Sequence, residues 1–282
     1  MPSIAIVTCQ NIPEPDNDES LMLDVCRASG IDVELVPWED AVVDWSRFDL
    51  VALRSTWNYY EFEASFRNWI DSVSKVSTLC NGRDLILWNL DKHYLDELRD
   101  LGIPVVPTRY LSSPSELQKA LMEEGWTEFV IKPTVSAGSY MTKRFGIDQV
   151  GEAEAFLSEI LNDRGAMVQK FMSRVADGGE IALIHIDGEL THGIIKEPRF
   201  HGGEESVSAA VTPNEEQSDL AKCVLETVRE PWLYARVDLM ISDEGQWVLS
   251  ELELIEPSLF FVQNPVALDR YVEGLKRWAT KG

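Results

Sequence analysis

Three carboxylates and an arginine near the C-terminus have the spacing of a charged reaction site. Asp238 lies in Tyr234-Ala-Arg-Val-Asp238, and Glu251 and Glu253 lie in Ser250-Glu-Leu-Glu253. Side chains at i and i+2 on a strand share a face, so Glu251 points with Glu253, and Arg236 with Asp238. Asp243-Glu244-Gly245 marks a tight turn between the two apolar runs, and counting back from it sets Asp238 close to Glu251. Carboxylates brought this close repel one another unless a cation lies among them. A hard divalent ion such as Mg²⁺ takes carboxylate and phosphate oxygens together and neutralises charge on a phosphoryl group. Taken alone, the acidic run is equally compatible with a solvent-facing strand. The apolar residues flanking each carboxylate favour central strands, where an uncompensated charge is costly.

The cations in this chain are few, and three lysines occupy the ends of apolar elements. Lys92 opens a helical stretch after Trp88-Asn-Leu-Asp91, Lys132 ends Phe129-Val-Ile-Lys132, and Lys196 ends Gly193-Ile-Ile-Lys196. Each is a compact point charge suited to phosphate oxygens. A loop of small residues, Pro133-Thr-Val-Ser-Ala-Gly-Ser139, follows Lys132, and its backbone N–H groups at Ser136 to Gly138 can approach phosphates without side-chain obstruction. No GxxxxGK[ST] sequence occurs, and no GxGxxG follows the first strand, so a Walker loop and a dinucleotide fingerprint are excluded.

These residues require strands and helices in a definite order. Ile4–Val7, Ile31–Val36, Leu50–Leu53 and Leu85–Trp88 read as short strands. Ser20–Ser29 and Ala64–Val73 read as amphipathic helices between them, with Gly30 ending the first. That alternation predicts a small parallel α/β unit over residues 1–88. A helix over Asp91–Leu101, with Tyr94, Leu95, Leu98 and Leu101 on one face, then opens a second unit. It continues through an extended stretch from Ile103, a helix from Pro114, the strand Phe129–Lys132, the helix Glu152–Leu161 and the strand Met167–Phe171. The remainder is rich in strands: Ile181–Ile186 and Thr191–Lys196 around an Asp187-Gly188 turn, and Tyr234–Ile241 and Trp247–Leu254. Helices are expected over Asn214–Val228 and Val266–Ala279. The fold class is α/β (α+β), divided at 1–88, 89–168 and 169–282.

Composition narrows the partners. The 282 residues carry 25 Lys and Arg against 48 Asp and Glu, a formal charge of −23. Such a surface repels nucleic acid and, at long range, nucleotides, so a nucleotide site here has to gather its cations locally. The four cysteines, Cys9, Cys26, Cys80 and Cys223, have neither zinc-site nor disulfide spacing, which fits a reducing, cytoplasmic setting. No basic n-region precedes the short apolar run at the N-terminus, and no apolar stretch is long enough to span a bilayer. The oligomeric state is not readable from the sequence.

With these residues in this order, nearly the whole chain resembles the ATP-grasp superfamily. Lys92 and Lys132 match its two phosphate-contacting lysines. Gln169, Lys170 and Phe171 match the hinge strand whose backbone holds the adenine edge, Glu180 the ribose-binding acid, and Lys196 a further triphosphate lysine. Arg236 and Asp238 match the catalytic arginine and first metal ligand, and Glu251 and Glu253 match the other ligands. Glu253 departs from the usual Glu-x-Asn, and Phe200–Ser206 lacks the Phe-Arg strand of the ribosomal-modification branch. Arg54-Ser-Thr-Trp-Asn-Tyr59 and Glu251-Leu-Glu-Leu-Ile-Glu-Pro-Ser-Leu259 are similar to the cyclo-ligases that form D-cycloserine.

The resemblance implies three domains clamping ATP between two antiparallel sheets, with Mg²⁺ (or Mn²⁺) as cofactor. It further implies a C–N-bond-forming ligase that makes an acyl phosphate from a small amino-acid-like carboxylate, with Arg236 and Lys196 stabilising it. In the cyclo-ligase variant both reacting groups belong to one molecule; a module that binds ATP without catalysis is the alternative. Arg54 stands at the carboxyl end of a parallel strand, where open α/β sheets bind ligands. It is expected to pair a substrate carboxylate, with Ser55 and Asn58 adding hydrogen bonds and Trp57 an apolar wall; burial beside a neighbouring acid is the competing reading. Arg199 and His201 are placed at the border of the same cleft, and His185 and His192 on sheet faces without chemistry.

Overall fold

Parallel strands buried on both faces read as continuous apolar runs, and the N-terminal sheet is built from them. In the computed structural model, which describes residues 1–175, 180–196 and 207–280, β1 (Ser3–Thr8), β2 (Asp32–Pro37), β3 (Leu50–Ser55) and β4 (Thr78–Cys80) form a parallel sheet in the order β2-β1-β3-β4. Helix α1 (Glu19–Ala28) buries Met22, Leu23 and Cys26, and α2 (Glu63–Val73) buries Phe66, Ile70 and Val73, both at helical spacing. Gly30 takes φ +76 after α1, the left-handed turn that a glycine allows.

One predicted strand is a helix. Leu85–Trp88 lies in α3 (Arg83–Asn89), and the fourth strand position belongs to Thr78–Cys80. A short apolar run does not distinguish strand from helix by periodicity. Here Leu85 and Ile86 pack into two different cores, and Asn89, one turn on, faces a third element. The helix from Asp91 is shorter than expected: α4 (Tyr94–Asp100) buries Tyr94, Leu95 and Leu98, whereas Leu101 is 62% exposed.

The middle sheet is antiparallel, in the order β5-β8-β6-β7, from β5 (Thr108–Leu111), β6 (Glu128–Pro133), β7 (Lys143–Gly146) and β8 (Ala166–Lys170). Helices α5 (Leu117–Glu124) and α6 (Val150–Leu161) cover one face through a core containing Phe129, Ile131, Phe145 and Leu157. The last sheet is also antiparallel, in the order β10-β9-β11-β12, from β9 (Glu180–Ile186), β10 (Glu189–Lys196), β11 (Tyr234–Ile241) and β12 (Trp247–Glu253). Asp187 and Gly188 both have positive φ at the β9–β10 turn, as a two-residue hairpin requires. Helix α7 (Glu215–Glu226) starts with an Asn214/Gln217 capping box, and α8 (Pro265–Ala279) packs against α1 and β9.

Strand β12 ends its sheet, yet its outer edge is fully used. Leu249 exchanges hydrogen bonds with the Pro104 carbonyl (2.8 Å) and the Val106 N–H (2.9 Å). Leu252 bonds Tyr94 Oη through both its N–H and its carbonyl, each at 3.0 Å. Asn89 accepts from the Leu254 N–H and donates to the Leu252 carbonyl, each at 2.8 Å. Asn81 donates to the carbonyls of Leu254 (2.8 Å) and Tyr234 (2.9 Å) and accepts from the Leu233 N–H (2.7 Å). Side chains from one connecting segment thus replace a fifth strand. Asn81→Ala leaves three buried backbone groups unpaired and is expected to cost about 3 kcal/mol; a denaturant midpoint equal to that of the unmodified protein would contradict this.

Candidate active site

The two antiparallel sheets face one another across a cavity of about 1050 Å³. Every residue predicted to contact ATP lines it: Lys92, Lys132, Ser136, Gly138, Gln169, Lys170, Phe171, Glu180 and Lys196. Arg236, Glu251, Glu253 and Trp57 line it too. Asp238, Arg54, Ser55 and Asn58 do not.

Register on β11 and β12 sets the charged centre. Arg236 pairs with Glu253 and Asp238 with Glu251, after which Ser250 forms a one-residue bulge before Leu249 meets Leu239. The bulge directs Ser250 Oγ onto the Glu180 carboxylate. Each carboxylate already holds a cation. Arg236 donates to both oxygens of Asp238 at 2.9 Å and to Glu253. Lys196 meets Asp238 at 2.5 Å and Glu180 at 3.1 Å. Lys92 meets Glu251 at 3.0 Å and donates to the Ser136 carbonyl at 2.9 Å, tying the small-residue loop to β12. Among the described residues Lys132 makes no hydrogen bond or ion pair; burial, reinforced by Lys92 and Lys196, holds its pKa below the usual value against the pull of Glu251. Its charge is open to an added anion.

Burial opposes ionisation of Asp238, but Arg236 and Lys196 outweigh it and hold the carboxyl below its usual range. Lys92 and Lys132 do the same for Glu251. Glu253 goes the other way: burial, with Asp238 and Glu251 adding to it, pushes it up to about 7 despite Arg236. The donor set suits a hard divalent cation in kind, being all carboxylate oxygen. Its placement differs from the prediction. Among the described residues no three His, Cys, Asp or Glu side chains are grouped to hold a metal ion. Asp238 in particular is withdrawn, since both its oxygens are occupied by Arg236 and Lys196.

The Lys170 N–H donates to the Pro107 carbonyl and the Phe171 N–H to the Glu128 carbonyl, so the sheet already uses the donors expected at an adenine edge. Lys170 Nζ pairs with Asp243 (2.8 Å) in the facing sheet. What this end of the cavity offers is apolar wall, from Val106, Val130, Phe171, Met172 and Met240.

Arg54 is not a substrate ligand in this arrangement. It is buried, ion-paired to Asp18 (2.8 Å) and Asp16 (3.3 Å), and donates to the Pro257 carbonyl. Asp18 in turn accepts from the Val262 N–H at 3.0 Å. Ser55 donates to Thr8 and Asn58 to Glu39, both away from the cavity. Trp57 remains at the wall, its indole N–H donating to the Glu256 carbonyl at 2.9 Å. His185 and His192 are buried and pushed down to about 4 by that burial. Arg199 and His201 lie outside the described residues. Among the described residues no helix is long and apolar enough to cross a membrane.

Sequence reasoning passed over Tyr59, Tyr60 and Glu256, all of which line the cavity. Glu256 had one signal, as the third acid of Glu251-Leu-Glu-Leu-Ile-Glu256, but its spacing breaks strand alternation. Burial, with Glu253 adding to it, pushes its carboxyl from 4.5 up to about 8. Between those values the folded form holds a proton that the unfolded chain has lost, so this group makes stability fall as pH rises from about 4.5 to about 8. Glu256→Gln is expected to flatten that part of the pH–Tm curve, gaining most over the unmodified protein near pH 8 and least near pH 4.5. A gain independent of pH would count against this.

Residues 4–81 match a family described as D-cycloserine synthetase DcsG, N-terminal domain. The chain is 31% identical to the cycloserine biosynthesis protein DcsG of Streptomyces lavendulae over 274 residues, covering 91% of this chain and 92% of that protein. The crystal structure of D-cycloserine synthetase DcsG superposes with a TM-score of 0.90 at 30% identity, over 98% of this chain and 99% of that one. D-alanyl-alanine synthetase A from Vibrio cholerae shares the fold with a TM-score of 0.71 at 16% identity, over 99% and 98% of the two chains.

Proposed function

Because the chain belongs to the DcsG family and is an ATP-grasp ligase, we propose that it activates the carboxylate of a small amino-acid-like substrate as an acyl phosphate. A nitrogen nucleophile then displaces phosphate. The single observation that carries this is the inter-sheet cavity in which Lys92, Lys132, Lys196 and Arg236 gather around Glu251 and Glu253. The substrate carboxylate attacks the γ-phosphorus, ADP leaves, and nitrogen attack on the acyl carbon releases inorganic phosphate. Little covalent work falls to the protein, so alignment and charge compensation dominate.

Lys132, whose side chain has no hydrogen-bond or ion-pair partner among the described residues, takes a phosphate oxygen first, and Lys92 holds the loop at Ser136 against the same phosphates. Lys196 exchanges part of its contact with Asp238 and Glu180 for the transferring group, which frees Glu180 for the ribose hydroxyls. The adenine ring lies against Phe171 and Met172 beside Gln169 and Lys170. Arg236 Nη1 also reaches the Ser258 carbonyl at 3.4 Å, which stations the guanidinium at the acyl group. Glu251 and Glu253 would hold Mg²⁺ (or Mn²⁺). When bound, such an ion offsets the charge of the phosphates.

A cyclising ligation of the D-cycloserine type is the second reading, favoured by the near-complete coverage and TM-score of the relative named for that product. Phosphate release from ATP and Mg²⁺ with a panel of small amino acids and their O-ureido derivatives tests both readings. Release with the derivative alone, and no intermolecular product, favours cyclisation. Tight ATP binding with no turnover on any carboxylate would leave a non-catalytic nucleotide module. Arg236→Ala is expected to lower kcat by about 10²–10³-fold. Lys132→Ala should weaken ATP binding at least tenfold, and calorimetry showing undiminished binding would remove Lys132 from the phosphate site.

A further inference from the structure

One buried carboxylate in the cavity has no use in phosphoryl transfer. Glu256 is 8% exposed, lines the cavity, and makes no hydrogen bond or ion pair through its side chain among the described residues. Its backbone is held firmly, since the carbonyl accepts from the Trp57 indole. An ionisable side chain so enclosed is costly unless a ligand completes it.

The surroundings define what that ligand must be. The wall contributed by the N-terminal unit and by the turn after β12 consists of Pro13, Glu14, Trp57, Tyr59, Tyr60 and Glu256. It contributes the Glu256 carboxylate and aromatic rings, and Lys92 and Arg236 act on that carboxylate from beyond the wall. The cations that line the cavity all come from residue 92 onward. An ammonium group placed there gains from the Glu256 carboxylate and from ring faces together, which a carboxylate or phosphate does not. The segment also fixes polarity: Glu253, at the Arg236 end, and Glu256, at the Trp57 end, are three residues apart. A molecule spanning them presents its acyl group to Arg236 and its amine to Glu256.

We infer that Glu256 is the specificity-determining residue of a substrate ammonium subsite, walled by Trp57, Tyr59 and Tyr60, which selects amino acids over acids that lack the amine. This rests on the proposed ligase reading, because it assumes that the acyl group reacts beside Arg236. Burial pushes the Glu256 carboxyl up to about 8, so an arriving cation has a large effect on its ionisation.

The test compares the unmodified protein, Glu256→Gln and Glu256→Asp. Each is given the same panel of D- and L-amino acids and the matching 2-hydroxy acids, with phosphate release as the readout and ATP affinity measured by calorimetry. The unmodified protein is expected to turn over at least one amino acid and to reject its hydroxy analogue at least tenfold in kcat/KM. In Glu256→Gln the amino-acid KM rises at least tenfold, ATP affinity stays unchanged, and the preference over the hydroxy acid disappears; Glu256→Asp restores part of it. An unchanged KM or a retained preference in Glu256→Gln overturns the subsite and leaves the ligase reading intact. Loss of ATP affinity together with the KM effect assigns Glu256 a structural role and overturns it as well. Unmodified protein that binds no ATP and releases no phosphate with any acid overturns the ligase reading, and the subsite with it.

Discussion

A buried strand edge has to find partners for its backbone groups, and in this protein the edge is that of β12. Its N–H and carbonyl groups at Leu249, Leu252 and Leu254 face outward from the sheet, where unpaired burial costs several kcal/mol in total. The chain solves this with the 104–106 backbone and the side chains of Asn81, Asn89 and Tyr94. The same connecting segment carries Lys92, which thereby arrives at Glu251 on the strand being capped. Capping the edge and delivering Lys92 to the cavity are one structural event. It also docks the parallel N-terminal sheet on the last sheet, since Asn81 follows β4 directly and Tyr234 Oη lies within 3.1 Å of carbonyls at Leu53, Cys80 and Ile255.

Charge organises the cavity as backbone pairing organises the strand. A chain with a net charge of −23 attracts no nucleotide from a distance. Its site gathers Lys92, Lys132, Lys196 and Arg236 within one cavity and keeps three of them occupied by carboxylates. Those ion pairs keep the cations ordered and exchangeable: phosphate oxygens can take over contacts that Asp238, Glu180 and Glu251 now hold. Burial displaces Glu253 and Glu256 upward, and both line the cavity.

The legible parts of this sequence were those with strict alternation or a strong turn. Tyr234–Ile241 folds over the predicted range, and Asp238 pairs with Glu251 as the count from Gly245 indicated. The lysines at strand ends were visible because apolar runs preceded them. Thr78–Cys80, Thr108–Leu111 and Lys143–Gly146 became strands that carry little pattern of their own, being short or polar; their neighbours in the sheet specify them. Arg54 misled because its partners, Asp16 and Asp18, lie in an acidic loop distant in sequence that only the fold brings back over β3. Glu256 was hidden because the alternation that exposed Glu251 and Glu253 ends with β12 at Glu253.

The Arg54 cluster has a consequence for how such a protein can drift. One guanidinium is shared by two aspartates and a carbonyl of the segment that follows the catalytic strand. Replacing Arg54 leaves two buried aspartates without their cation, a loss of roughly 3–5 kcal/mol, whereas replacing Asp16, Asp18 and Arg54 together by well-packed apolar groups is close to neutral. No path of single substitutions leads from one solution to the other without crossing a poorly folded state. Constancy at position 54 and at one of positions 16 and 18 is therefore the signature of a mutational lock, and it would persist in descendants that had lost all catalysis.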